Sequence, residues 1–458
     1  MIFSLKIGLQ SDVLLECSCL GPITREKLLR MIEEKKLELT KNNLGKFGFL
    51  VFEPTLASVV LYLACLDSKR VLLLLPSEIQ SSQMARLKET YHPDWLAEID
   101  IENTLTIRDF SGSSANDAEA INDKLALLLL TSGSTGDPKL VRLSLANLEA
   151  NASSICDYLN ISKSSCSITT LPLSYSFGLS ILNSYLKGSG RLVMSKSSVL
   201  DKNFMSHLID NRVTSLSGVP YMYDMMLRIG LLSNLPESVN TLTVAGGPLS
   251  ERTRNRVYPL CEKNKMRLYV MYGQTEATAR ISYVPNELLP SKLGSIGIPI
   301  PGGELSIDQN SGEIVYMGPN VMLGYAENRD HLLLGDELNG CLKTGDAGYK
   351  DADGCFYITH RLKRIIKIAG RRLSLDDVER LIEEKFGSIA IVVGQDNKCE
   401  INIERTVDIP SHATVKDWVC HEISIHHSML DVSFIDKLPF KNNGKKDYSF
   451  FRIPGEVT

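Results

Sequence analysis

Apolar residues recur along the chain in two alternating rhythms. Phe47–Phe52 and Val71–Leu75 are short apolar runs, which predict buried strands. Arg25–Leu39, Leu56–Leu66 and Gln80–Lys88 carry their apolar positions at helical spacing. After a polar stretch at 102–124, read as a connection within one domain, the alternation resumes with Leu127–Leu130 as a strand and Leu145–Leu159 as a helix. Strands are predicted at Ser167–Leu171, Arg191–Met194, Thr214–Ser217, Asn240–Val244 and Arg267–Met271. Helices are predicted between them at Phe177–Lys187, Asp201–Asp210, Tyr221–Leu227 and Ser250–Glu262. Strands that alternate with helices predict parallel sheets flanked by helices. Beyond Gly294 the texture changes: Gly and Pro become dense, and short alternating runs such as Glu304–Ile307 and Glu313–Met317 predict a small antiparallel subdomain. A last segment with its own mixture of strands and helices begins near Arg361.

The expected architecture is therefore α/β. A large N-terminal domain (1–360) has parallel sheets with flanking helices and a small β subdomain at about 294–360. A small α+β domain (361–458) follows it. A chain of 458 residues is too long for a single core, which agrees with this division. With 43% hydrophobic and 23% charged residues the composition is that of an ordinary globular protein. A net charge of −4 argues against a nucleic-acid partner. Runs such as Val71–Pro76 are too short to span a bilayer, and Met1–Leu15 lacks a basic stretch before an apolar core, so no membrane span and no signal peptide are expected. The ten cysteines are scattered, with only Cys17 and Cys19 close together, a pattern that predicts reduced thiols in a cytoplasmic protein.

Five short stretches carry chemistry. The first follows the apolar run Leu127–Leu130: Thr131-Ser132-Gly133-Ser134-Thr135-Gly136-Asp137-Pro138-Lys139. Glycines let the backbone approach an anion, hydroxyls and amides donate to it, and a lysine adds charge, which is a way to hold a polyphosphate. The spacing is not that of the common nucleotide P-loop, because Lys139 follows a proline. The second, Tyr272-Gly273-Gln274-Thr275-Glu276, sits just past a predicted strand, where open α/β sheets bind ligands. A threonine can donate to phosphate, a carboxylate can hold magnesium, and a tyrosine offers a flat face to a base. The third is Gly246-Gly247 in a strand-to-helix turn. The fourth is Thr344-Gly345-Asp346, whose aspartate either caps its own turn or accepts from a ribose diol. The fifth is Gly444-Lys445 close to the C-terminus. Between them, 361–372 carries six basic residues and no acid, with Ile365, Ile366 and Ile368 interleaved, a pattern of a basic-edged strand.

In their order along the chain, these stretches resemble the signatures of the adenylate-forming superfamily of acyl-CoA synthetases, peptide-synthetase adenylation domains and luciferases. The resemblance covers Leu56 to Lys445. It implies an enzyme that joins a carboxylic acid to the α-phosphate of ATP, releases pyrophosphate, and passes the acyl group to a thiol. By the same resemblance, 131–136 and Lys139 hold the phosphates, and Gly246, Gly247, Tyr272 and Gly273 line the adenine. Thr275 contacts the α-phosphate, Glu276 ligates Mg2+, and Asp346 and Arg361 take the ribose. Lys363 is the hinge pivot of a mobile C-terminal domain, Gly370 lies where a pantetheine arm passes, and Lys445 is the catalytic lysine. His360 stands where the family has a glycine, and Lys446 where it often has an arginine. Tyr175, Phe177 and Gly178 are expected in the acyl pocket; no aspartate falls between Leu171 and Lys187 to receive an α-amino group. The implied thiol is CoA or a carrier-protein phosphopantetheine, so an acyl carrier protein is a candidate partner beside the small-molecule acid.

Overall fold

The computed structural model of the chain describes residues 2–17, 20–100, 104–110, 121–130, 139–368, 371–406, 409–441 and 444–451. Two large sheets dominate. In a seven-stranded sheet the order is Gly324–Ala326, Leu140–Ser144, Leu125–Leu130, Val71–Leu75, Phe47–Val51, Trp95–Ile99, Leu105–Asp109. Its four inner strands, from Leu125–Leu130 to Trp95–Ile99, are parallel and its outer pairings antiparallel. A nine-stranded sheet runs Ile298–Pro299, Ser282–Tyr283, Arg267–Tyr272, Thr241–Val244, Ser215–Gly218, Cys166–Ile168, Arg191–Met194, Val13–Cys17, Gly21–Thr24. It too is parallel through its middle, with antiparallel edges.

Helices Arg25–Lys41, Leu56–Asp67, Leu145–Leu159 and Ser176–Lys187 share one apolar core with inner-facing residues of both sheets, among them Leu50, Leu72, Leu14 and Leu192. A helix packed on two sides must be apolar on most of its surface. Leu56–Asp67 meets that demand, with every residue from Val59 to Leu66 buried. Each fully buried Val or Leu there contributes roughly 1.5–3 kcal/mol. Thr55 starts this helix by accepting from the amide of Ser58, and Ser144 forms a reciprocal capping box with Asn147. The outer faces of the nine- and seven-stranded sheets carry separate cores.

Four antiparallel strands follow, Glu304–Ile307, Glu313–Met317, Cys341–Lys350 and Phe356–Arg361. Beyond them, Ile365–Ile368 pairs with Arg371–Ser374, and a three-stranded sheet of Ala390–Gln395, Lys398–Glu404 and Leu430–Ile435 packs with helices Leu375–Phe386 and His412–Glu422 around its own core.

Several expectations need correction. The sheets are parallel only in their interiors. The helix Leu145–Leu159 is as expected, but before it lies a strand that the pattern does not predict, Leu140–Ser144, which pairs antiparallel with Leu125–Leu130. That strand holds Arg142, fully buried and donating to the carbonyls of Leu323 and Tyr325, with Glu337 as its ion-pair partner. A charged residue at its centre hides its strand pattern. The strand expected at Ser167–Leu171 runs instead over Cys166–Ile168. Asp201–Asp210 is helical only from Phe204. Within the stretch 102–124 a strand, Leu105–Asp109, occupies the edge of the seven-stranded sheet. No helix among the described residues is long and apolar enough to cross a membrane. Cys65, Cys261, Cys355 and Cys399 are buried thiols, and burial pushes Cys65, Cys261 and Cys399 up to about 12.

Candidate active site

The strand Arg267–Tyr272 ends at a tight turn, and Gly273 is required there: a Cβ on it would lie 1.7 Å from the carbonyl oxygen of Ala279. The backbone then passes through the left-handed region at Thr278 (φ +60°) and through φ +143° at Ala279, which returns the chain on itself. Tyr272 donates to Asp346 Oδ2 at 2.5 Å, and Gln274 Nε2 donates to the same oxygen at 3.1 Å and to the carbonyl of Thr344 at 2.7 Å. The Asp346 carboxylate is almost fully buried, yet its other oxygen lies 3.3 Å from Nε of the largely exposed Arg361. Burial and the Asp346 charge hold the Tyr272 hydroxyl well above its ordinary range, so it stays a donor. The Thr344 hydroxyl accepts from the amide of Asp346, and Gly345 takes the positive φ (+76°) that this turn needs.

Thr275 and Glu276 occupy the next turn. The Thr275 hydroxyl lies 3.2 Å from that of Ser176, at the start of helix Ser176–Lys187. Tyr325 donates to Glu276 Oε1 at 2.9 Å, and the Glu276 carbonyl accepts from the amide of Met322. Tyr175 precedes the helix, and Gly178 fits beneath it only because it lacks a Cβ, which would lie 2.2 Å from the Pro172 carbonyl. Phe177 is buried.

Lys445 reaches the same place from the far end of the sequence. Its ammonium lies 5.6 Å from the centre of the Tyr175 ring, and its Cε would be 3.8 Å from a Cβ placed on Gly246. Gly444 takes a positive φ (+74°) beside Val219. The neighbouring Lys446 binds the other way, to Glu379 at 2.7 Å and Glu383 at 2.8 Å on helix Leu375–Phe386. Tyr448 donates to Glu379 as well, and the guanidinium of Arg364 lies 4.0 Å over the Tyr448 ring. This network anchors the segment, so that Lys445 projects away from its own core. Tyr221 and Phe440 stack across the same junction with ring centres 4.8 Å apart. Burial, with the nearby Arg361 charge, lowers Lys445 to about 8.

Arg280 follows the turn. It is 3% exposed, its guanidinium carbon lies 4.0 Å over the Phe177 ring, and its Nε has no hydrogen-bond partner. Its neighbours are the hydroxyls of Tyr158 and Tyr175, and burial lowers its own affinity for the proton. A desolvated cation–π contact returns about 2 kcal/mol, whereas burying an arginine without a carboxylate costs several kcal/mol.

The site residues expected from the sequence thus divide. Tyr175, Phe177, Gly246, Tyr272, Gly273, Thr275, Glu276, Asp346, Arg361 and Lys445 gather around the ends of two elements, the strand Arg267–Tyr272 and the helix Ser176–Lys187. Gly247 lies beside Pro220, next to Gly246. Lys139 is exposed and pairs with Glu327 at 2.5 Å. Thr131, Ser132, Gly133, Ser134, Thr135, Gly136 and Gly370 lie outside the described residues, as does the side chain of Lys363. Gln274, Tyr325 and Arg280 received no role from the sequence. Gln274 fills the variable place of its motif, and the others are joined to the site only by folding.

The pattern that describes the family "AMP-binding enzyme" matches residues 53–326. The chain belongs to that family. Among its relatives, the 2-succinylbenzoate–CoA ligase of Bacillus subtilis (strain 168) is 32% identical over 274 residues, 57% of this chain and 54% of the relative. The enzyme of the same name from Bacillus cereus (strain ATCC 14579) is 27% identical over 334 residues, 70% of this chain and 67% of the relative. The chain thus spans about half the length of the Bacillus subtilis relative it matches. Among solved structures, O-succinylbenzoate CoA synthetase (MenE) of Bacillus subtilis with its acyl-adenylate OSB-AMP has a TM-score of 0.77 at 21% identity, covering 98% of this chain and 97% of that one. ATP-bound MatB of Rhodopseudomonas palustris has a TM-score of 0.80 at 20% identity, covering 98% of both chains. These likenesses establish the fold: this chain has the α/β architecture of the AMP-binding enzymes.

Proposed function

We propose that this AMP-binding enzyme is an acid–thiol ligase. It activates a carboxylic acid without an α-amino group as its acyl-adenylate, releases pyrophosphate, and transfers the acyl group to CoA. The observation that carries the reading is the meeting of Lys445, Glu276 and Thr275 beside the Tyr272–Asp346–Arg361 cluster. Adenylation brings a carboxylate against the α-phosphate of ATP, so two anions must be held together and the charge on the reacting phosphorus offset. Asp346 accepts from the ribose diol, held in place by Tyr272, Gln274 and Arg361. Thr275 donates to the α-phosphate. Lys445, charged below about pH 8, offsets negative charge as the acid attacks and pyrophosphate departs.

Glu276 fits a magnesium ion: its carboxylate is half-buried, and among the described residues its hydrogen-bond donor is Tyr325, on Oε1, which spares the second oxygen for a cation. Among the described residues no cluster of three acidic, histidine or cysteine groups stands by, and magnesium held by one carboxylate and substrate phosphates needs none. When bound, the ion neutralises phosphate charge. Residues 131–136 and Lys139 would enclose the phosphates. The segment after about 361 is taken as a domain that turns about Lys363, withdrawing Lys445 and presenting Gly370 to the thiol. CoA is favoured because it is the thiol in the names of the relatives. A cytoplasmic setting, where ATP and CoA occur together, suits the reading.

The test is ATP–pyrophosphate exchange over a panel of acids including 2-succinylbenzoate, followed by thioester detection with CoA and with a phosphopantetheinylated carrier protein. Exchange with at least one acid and thioester on CoA are expected. Absence of exchange across the panel overturns the reading, and transfer to the carrier protein alone would change the acceptor.

A further inference from the structure

The acyl end of the site holds a cation that adenylation does not use. Arg280 is buried, carries an unpartnered Nε, and pairs with no carboxylate among the described residues. The fold commits to this placement. Asn320 Nδ2 donates to its carbonyl at 2.8 Å, and Asn151 Nδ2 does so at 3.4 Å. The backbone before it takes unfavourable φ values at Thr278 and Ala279, and Gly273 gives up a side chain to let that turn approach. The guanidinium faces aromatic rings and neutral hydroxyls: Phe177 below it, Tyr158 and Tyr175 beside it. The Tyr158 hydroxyl donates its proton to Met271 Sδ at 3.1 Å and accepts from the guanidinium, a neutral partner that leaves the arginine's charge unmatched. Burying a guanidinium among neutral groups costs stability that a plain apolar residue would not.

Resting on the ligase reading above, we propose that Arg280 receives a second carboxylate of the substrate, so that the acid activated here is a dicarboxylic acid. Lys445 and Arg280 stand over adjacent rings, Tyr175 and Phe177, whose centres are 6.4 Å apart. The carboxylate to be activated lies at the Lys445 end. The remote one enters at the Arg280 end, where the guanidinium offers parallel donors and burial strengthens the pairing. Its role is specificity: an acid whose far end is uncharged leaves the Arg280 charge without a carboxylate.

The experiment compares a homologous series of α,ω-dicarboxylic acids and 2-succinylbenzoate, each against its monomethyl ester, by ATP–pyrophosphate exchange. The ester keeps shape and one reacting carboxyl but removes the remote charge. The expected result is a kcat/KM for the preferred diacid on the order of 100-fold above that of its monoester. In Arg280→Gln that ratio falls to near one, mainly through KM of the diacid, and Arg280→Lys recovers part of it. The wild-type comparison stands even if a variant fails to fold. Equal use of diacids and their monoesters by the wild type overturns the proposal while leaving the ligase reading intact, as does a ratio that survives in folded Arg280→Gln. No exchange with any compound overturns both.

Discussion

The ammonium of Lys445 stands 5.6 Å from the centre of the Tyr175 ring, although the two residues are 270 positions apart in the chain and their cores are distinct. The contact places a cation from the last segment of the protein at the start of helix Ser176–Lys187. Its low proton affinity follows from that burial and from the facing Arg361. In the free enzyme, adenylation measured as kcat/KM is expected to fall as pH rises through about 8, where Lys445 loses its charge. Because its folded value is depressed, the charged lysine costs stability below about pH 8, and unfolding free energy should rise from there toward its ordinary value of 10.5. Lys445→Ala should remove both effects. It should also slow adenylation about 100- to 1000-fold while sparing thiol transfer from supplied acyl-adenylate. Equal losses in both half-reactions would remove Lys445 from its assigned role.

Glu276→Gln should weaken magnesium-dependent ATP use, seen as a higher magnesium requirement in pyrophosphate exchange. Tyr325→Phe, which removes the donor to Glu276 Oε1, should move the same titration by a smaller amount. An unchanged titration in both variants would place the metal elsewhere.

Asp346→Asn keeps the shape of the Tyr272–Asp346–Arg361 cluster, proposed to take the ribose, but loses the charge that Arg361 faces. Hydrogen bonds to charged groups are worth roughly 1.5–3 kcal/mol, so KM for ATP should rise about 10- to 100-fold. The KM for the acid should change less, which separates this effect from general misfolding.

Gly273→Ala tests the turn. Its Cβ would meet a backbone carbonyl that cannot rotate away. Loss of at least about 4 kcal/mol of stability, or no soluble protein, is expected in urea unfolding. A folded variant of near wild-type stability would show that the Ala279 turn can shift.

Lys363 lies in the short helical turn Leu362–Arg364, between the strand Phe356–Arg361 and the hairpin beginning at Ile365. Proline fixes φ and restricts the residue before it, so Lys363→Pro should hold the two parts in one orientation. With native circular dichroism, acyl-adenylate formation near wild type and a collapse of thioester formation are expected. Thioester made at the wild-type rate would rule out a single pivot at this position.

What the sequence determined by itself was local and compositional. Apolar runs marked strands at Phe47–Phe52, Val71–Leu75 and Arg267–Met271, each within one residue of the strand that forms, because a buried strand needs little else. Short words such as Tyr272–Glu276, Thr344–Asp346 and Gly444-Lys445 marked chemistry, since turns that bind charged ligands demand particular residues at fixed spacing. Strand Leu140–Ser144 was hidden because the partners of its buried Arg142 lie far along the chain. Only the tertiary structure decided which distant groups meet. It turned Lys446 toward Glu379 and Lys445 toward Tyr175, and set Tyr325 on Glu276. Arg280 shows the difference most plainly. In the sequence it is one arginine after a motif. In the fold a strained turn and two asparagine amides fix its backbone, and it lies buried over the Phe177 ring. Burial and partnership arise from contacts between segments far apart in the chain, and those contacts give a charge its energy.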